Sequence, residues 1–129
     1  MIRRDDIFAS LLGCYATPPG HRQPVNIVDL GMVESVELTV DHEAPGAGIA
    51  GVPVKHRVSI TLLRVVPDED AQAILSMQIQ NCLAGLQEVA QTSVQYAENP
   101  KWTLDRVSAV GRRLLQLDFP ILNNRVHSI

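Results

Sequence analysis

Asn26-Ile27-Val28-Asp29-Leu30-Gly31-Met32-Val33 is the stretch that decides how this chain is read. Apolar residues run into an Asp-Leu-Gly turn and out again into a strand covering Val33 to Val40. A carboxylate set between Val28 and Leu30 cannot be buried alone, so Asp29 must meet hydrogen-bond donors or a ligand. Gly31 supplies backbone freedom or lets another segment approach closely. Two readings stay open for Asp29: an Asx-type turn in which it caps its own backbone, and a role in a functional site.

Working outward, Val36, Leu38 and Val40 alternate with Ser35, Glu37 and Thr39, the pattern of a half-buried strand. Asp41 to Pro53 is rich in Gly, Pro and Ala and reads as a long hairpin connection. A second strand follows, with Val58, Ile60 and Leu62 on its inner face. Pro67-Asp68-Glu69-Asp70 opens a helix, its carboxylates complementing the helix dipole. The apolar stripe of that helix is Ala71, Leu75, Ile79, Cys82 and Leu86, flanked by Ile74 and Leu83. Val89 to Ala97 alternates as a third strand, and Asn99-Pro100 breaks the chain after it. Thr103 caps a last helix lined by Leu104, Val107, Gly111, Leu114 and Leu115. At the other end, Ile2 to Leu12 is a helix with Ile7, Phe8, Leu11 and Leu12 on its buried face. Gly13 caps it, and Pro18-Pro19-Gly20 forbids continuation.

The order α-β-β-α-β-α predicts an α+β fold, a two-layer sandwich with helices on one face of a small three-stranded sheet. A fourth strand is added if residues 118–129 pair. One domain spanning 1–129 is expected for a chain of this length. The exposed edges of so small a sheet favour a homodimer.

A hydrophobic share of 46% supports a core without disulfides. No apolar run approaches the roughly 20 residues of a membrane span. No apolar segment follows the charged start Met1-Ile2-Arg3-Arg4-Asp5-Asp6 as a signal peptide would need, so a cytoplasmic protein is expected. A net charge of −3 offers nucleic acid no electrostatic footprint. Cys14 and Cys82 match no CxxC spacing, and a structural disulfide between them is not expected in the cytosol. His42, His56 and His127 form no ligand pair. No nucleophile motif or phosphate-binding glycine loop is present, so no enzyme is expected.

Far downstream stands Trp102-Thr103-Leu104-Asp105-Arg106-Val107-Ser108, followed by Gly111-Arg112. Together with Asn26 to Val33, in this order and separation, it resembles the SufT/PaaD-type family of iron–sulfur cluster assembly domains, over about Ile7 to about Leu117. The resemblance implies a non-enzymatic accessory of cluster assembly or metal-centre maturation. Its partners would be the cluster-assembly machinery or one client metalloenzyme, and its cofactor an iron–sulfur cluster or iron. The alternative is a metal-free interaction or scaffold domain of the same fold. Asp29, Gly31, Trp102, Thr103 and Arg106 are the motif residues carried over. Arg106 can pair with a carboxylate, Asp29 being the candidate across the fold. Trp102 is a packing anchor or a partner-recognition residue.

Two departures fall on the family's metal site. A loop cysteine is usual before the second helix, where the helix N-terminus would lower its pKa; this chain has Arg64-Val65-Val66-Pro67-Asp68-Glu69-Asp70. An Asp-Pro-Glu is usual upstream of the turn; this chain has Ala16-Thr17-Pro18-Pro19-Gly20-His21. Cys14 and His21, joined by Asp29, are the remaining candidates for a metal. Cys82, on the apolar stripe, reads as core.

Overall fold

A computed structural model of the chain describes residues 2–65 and 68–115. It is an α+β sandwich with one two-stranded and one three-stranded sheet. In chain order the elements are α1 (Arg4–Leu11), β1 (Tyr15–Ala16), β2 (Val25–Asn26), β3 (Val33–Val40), β4 (His56–Leu63), α2 (Glu69–Ala84), β5 (Val89–Ala97), a 3-10 turn (Leu104–Arg106) and α3 (Ala109–Leu114). The expectations for residues 118–129 and for Pro67 lie outside the described residues.

β4 is the central strand, antiparallel to β3 and parallel to β5. A parallel neighbour requires a crossover, and α2 supplies it between β4 and β5. Val58, Ile60 and Leu62 of β4 are buried, and they join Ile7 and Leu11 of α1 and Leu75, Ile79 and Leu83 of α2 in one core. Each fully buried Leu or Ile contributes about 1.5–3 kcal/mol relative to exposure. On the opposite face Arg57 is exposed, and Gln95 donates to the Thr61 hydroxyl at 2.9 Å. Both β3 and β5 coincide with the strands expected from alternation.

Some expected core positions face water. Leu12 is 46% exposed, because α1 has ended at Leu11 before its side chain can turn inward. Ile74 lies on the outer side of α2, Val40 stands at the end of β3, and Leu104 and Leu114 of the last segment are exposed as well. The β1–β2 pair is too short for any periodic signal; it aligns Tyr15 with Asn26 and Ala16 with Val25. Ile27 extends it by donating its amide to the Cys14 carbonyl at 2.9 Å.

The last helix differs most. The expected cap, Thr103, is exposed and makes no side-chain cap bond; it precedes only the 3-10 turn. Val107 then adopts an extended conformation, φ −73° and ψ 130°, which breaks the helix. α3 restarts behind Ser108, whose hydroxyl accepts the Gly111 amide at 3.1 Å. The break turns the chain toward the Asp29 turn: the Ser108 amide donates to the Asp29 carbonyl at 2.7 Å.

Candidate functional site

Residues 26–31 form a single helical turn. The Leu30 amide donates to the Asn26 carbonyl at 3.0 Å and the Gly31 amide to the Val28 carbonyl at 3.0 Å. Its cap is Asn26, not Asp29. The Asp29 amide donates to Asn26 Oδ1 at 2.8 Å, and Asn26 Nδ2 donates back to Asp29 Oδ2 at 2.6 Å. Asn26 thus caps the turn through the Asp29 amide and holds one carboxylate oxygen with its own side-chain amide, which leaves the second carboxylate oxygen of Asp29 to reach across the fold. That oxygen accepts the Ser108 hydroxyl at 2.8 Å.

Arg106 does not pair with Asp29. Its Nε donates to the Gly31 carbonyl at 3.1 Å, and its guanidinium meets Glu34 at 2.8 Å. Asn26 and Ser108 each hold one oxygen of the Asp29 carboxylate, while Arg106 meets the Gly31 carbonyl and Glu34 at the start of β3. Both ion-pair partners are about one-third exposed, 33% and 34%, so the pair contributes under about 1 kcal/mol. Trp102 Nε1 donates to the Leu30 carbonyl at 2.7 Å, which makes the indole an anchor in the turn.

Two glycines make the approach possible. Gly31 has φ +74°, and a Cβ there would collide with the Arg106 carbonyl oxygen. A Cβ at Gly111 would stand 2.8 Å from the Asp29 carbonyl oxygen. The carbonyls of Asp29, Leu30 and Gly31 and one Asp29 carboxylate oxygen are thus met by the segment 102–111, and the two blocks are joined through partners other than the expected Asp29–Arg106 pair.

Cys14, His21 and Asp29 do not converge. Among the described residues no three His, Cys, Asp or Glu side chains are grouped to hold a metal ion. The His21 amide donates to the Pro18 carbonyl at 3.2 Å in the loop between β1 and β2. Cys14 is fully buried and faces Cys82, with the sulfurs 3.4 Å apart. Burial, first of all, pushes the Cys14 thiol up to about 12, and the contact with Cys82 pushes it the same way. At the N-terminus of α2, the Asp68 carboxylate accepts the Asp70 amide at 2.9 Å. A carboxylate already capping the helix, with no thiol between residues 15 and 81, does not fit a cluster at that position.

No protein-family profile and no curated protein matches the sequence. Among solved structures, the crystal structure of a domain of unknown function, DUF59, from Bacillus anthracis is similar, with a TM-score of 0.61 at 21% sequence identity. The match covers 88% of this chain and 91% of that one. The fold is that of the DUF59 domain.

Within this DUF59 fold, sequence reasoning found Asp29, Gly31, Trp102 and Arg106 and missed three of their partners. Asn26 was readable: an Asn three residues before an Asp, ahead of a turn, is a capping signal. Ser108 carried the same kind of signal ahead of α3, masked by the better-looking Thr103. Glu34 carried none, since only the register of β3 brings it to Arg106. Among the described residues no helix is long and apolar enough to cross a membrane.

Proposed function

We propose that this chain is a non-enzymatic accessory of iron–sulfur cluster assembly or metal-centre maturation that works through contacts with other proteins. The observation that carries the reading is the union of the two sequence blocks, Asn26–Val33 and Trp102–Gly111, within a DUF59-like fold. These blocks are the ones that resemble SufT/PaaD-type domains. Their polar groups are engaged with one another, which argues for a frame that presents a surface and against a reaction centre. The proposed partners are the cluster-assembly machinery or a client metalloenzyme, met in the cytoplasm, with the cluster as their cargo.

The competing reading is a metal-free scaffold of the same fold in an unrelated assembly. What favours it is Asp68, a carboxylate capping α2 where the resembled family has a thiol. Removing the gene from its host and measuring the metal content of several iron–sulfur and iron enzymes separates the two. The accessory reading expects at least one enzyme to lose metal while its polypeptide level holds, with recovery on return of the gene. Full metal content in all of them overturns it.

A further inference from the structure

Cys14 and Cys82 are 68 positions apart in sequence, yet their sulfurs stand 3.4 Å from each other. The backbone of Cys14 is pinned on both sides: its amide donates to the Leu11 carbonyl at 3.0 Å, and its carbonyl accepts the Ile27 amide at 2.9 Å. Cys82 faces it from the last turns of α2. The two differ in access, since Cys14 is fully buried and Cys82 is half-buried.

We propose that Cys14 and Cys82 form an oxidisable dithiol, which a peroxide converts into an intramolecular disulfide tying the end of α1 to α2. This rests on the sulfur geometry and is independent of any role in cluster assembly. Access assigns the first step to Cys82, and the buried, protonated Cys14 acts second. The Cys82 sulfur attacks one peroxide oxygen: an S–O bond forms, the O–O bond breaks, and the departing oxygen leaves as water with the thiol proton. The Cys14 sulfur then attacks the Cys82 sulfenic acid: an S–S bond forms, the S–O bond breaks, and the hydroxyl leaves as a second water with the Cys14 proton. Two thiols lose two electrons, and one peroxide becomes two waters.

The sulfurs close from 3.4 Å to the roughly 2.05 Å of a disulfide. Tyr15 follows Cys14 directly, and its amide donates at 3.3 Å to Gln78, one helical turn before Cys82. Tyr15 and Gln78 line an open groove of about 380 Å³ together with Ile74 and Leu75. Oxidation therefore draws one wall of that groove toward the other and holds it there.

The test treats the reduced full-length chain with hydrogen peroxide, unfolds it, alkylates the remaining thiols and weighs the intact protein. The expected product has lost two hydrogens, takes up no alkylating reagent, is monomeric and yields one linked peptide containing Cys14 and Cys82. Dithiothreitol restores both thiols. Cys14→Ser, or Cys14→Ala if the serine variant does not fold, is expected to stop at a Cys82 sulfenic acid that dimedone traps. Cys82→Ser is expected to leave Cys14 unreacted. Two alkylatable thiols after peroxide, oxidation of Cys82 alone in the wild type, or linkage between chains would each overturn the proposal.

Discussion

Asp29 and Ser108, 79 positions apart, are joined twice: the Ser108 hydroxyl donates to the Asp29 carboxylate at 2.8 Å and the Ser108 amide to the Asp29 carbonyl at 2.7 Å. The same hydroxyl accepts the Gly111 amide and so caps α3. Ser108→Ala removes the cap and one carboxylate partner, an expected loss of about 1–2 kcal/mol. Asp29→Ala is expected to cost about 1–3 kcal/mol by leaving Asn26 and Ser108 short of an acceptor. Because the two share a bond, the double variant should fall short of additivity by at least about 0.5 kcal/mol in urea unfolding.

Gly31→Ala is the harshest small substitution expected here. The backbone at φ +74° disfavours any side chain, and the added Cβ collides with the Arg106 carbonyl. Gly20 is the control, with φ +80° and nothing within 4 Å of an added Cβ. Gly20→Ala should cost only the left-handed penalty of about 1–2 kcal/mol. Thermal melting of both should show Gly31→Ala as far the more damaging, with the separation of the two blocks as the cause.

Trp102→Phe keeps the aromatic packing and deletes the bond to the Leu30 carbonyl, which is 2.7 Å long. The expected loss is about 1 kcal/mol. Trp102 is also the sole tryptophan, so its fluorescence reports the docking of residues 102–111. Ser108→Ala and Asp29→Ala should shift that emission toward the solvent-exposed position in a pre-melting step, before the circular-dichroism transition.

Alkali should weaken the fold in a defined window. The Cys14 thiol rises from its ordinary 9.0 to about 12 on folding, through burial first and the Cys82 contact second. Between those values the unfolded chain releases a proton that the folded chain keeps. Stability is therefore fully present below about pH 9 and declines as the pH climbs toward 12. Tyr96, half-buried with its hydroxyl on the Gln72 carbonyl, is raised for the same first reason and acts in the same direction above its ordinary 10.0. Denaturant midpoints measured across this range should fall, and less steeply in Cys14→Ala.

The strands were legible because β3, β4 and β5 turn apolar residues to the core on one face and polar residues to water on the other, so alternation marks them along most of their length. The α2 stripe was legible for the same reason, through Leu75, Ile79 and Leu83. The third helix was misread at its start: Thr103 and Ser108 are equally good caps locally, and only the Asp29 carbonyl, a distant acceptor, selects Ser108. The Cys14–Cys82 contact was invisible because it depends on how α1 and α2 pack, and no spacing rule covers a pair 68 positions apart. The choice of Glu34 over Asp29 as the partner of Arg106 likewise follows from the fold, which sets Arg106 against the start of β3.

The most direct test of a contact-driven accessory is complementation of the gene-deleted host with wild type and with a cysteine-free chain, Cys14→Ala together with Cys82→Ala. The readout is the iron content of the enzyme that loses metal on deletion, with the melting curve of each purified chain as the folding check. The account predicts equal restoration of iron by both chains, since neither thiol is needed to meet a partner. Restoration by wild type alone, with the cysteine-free chain melting as a native protein, would contradict it and make the thiols carriers of the metal.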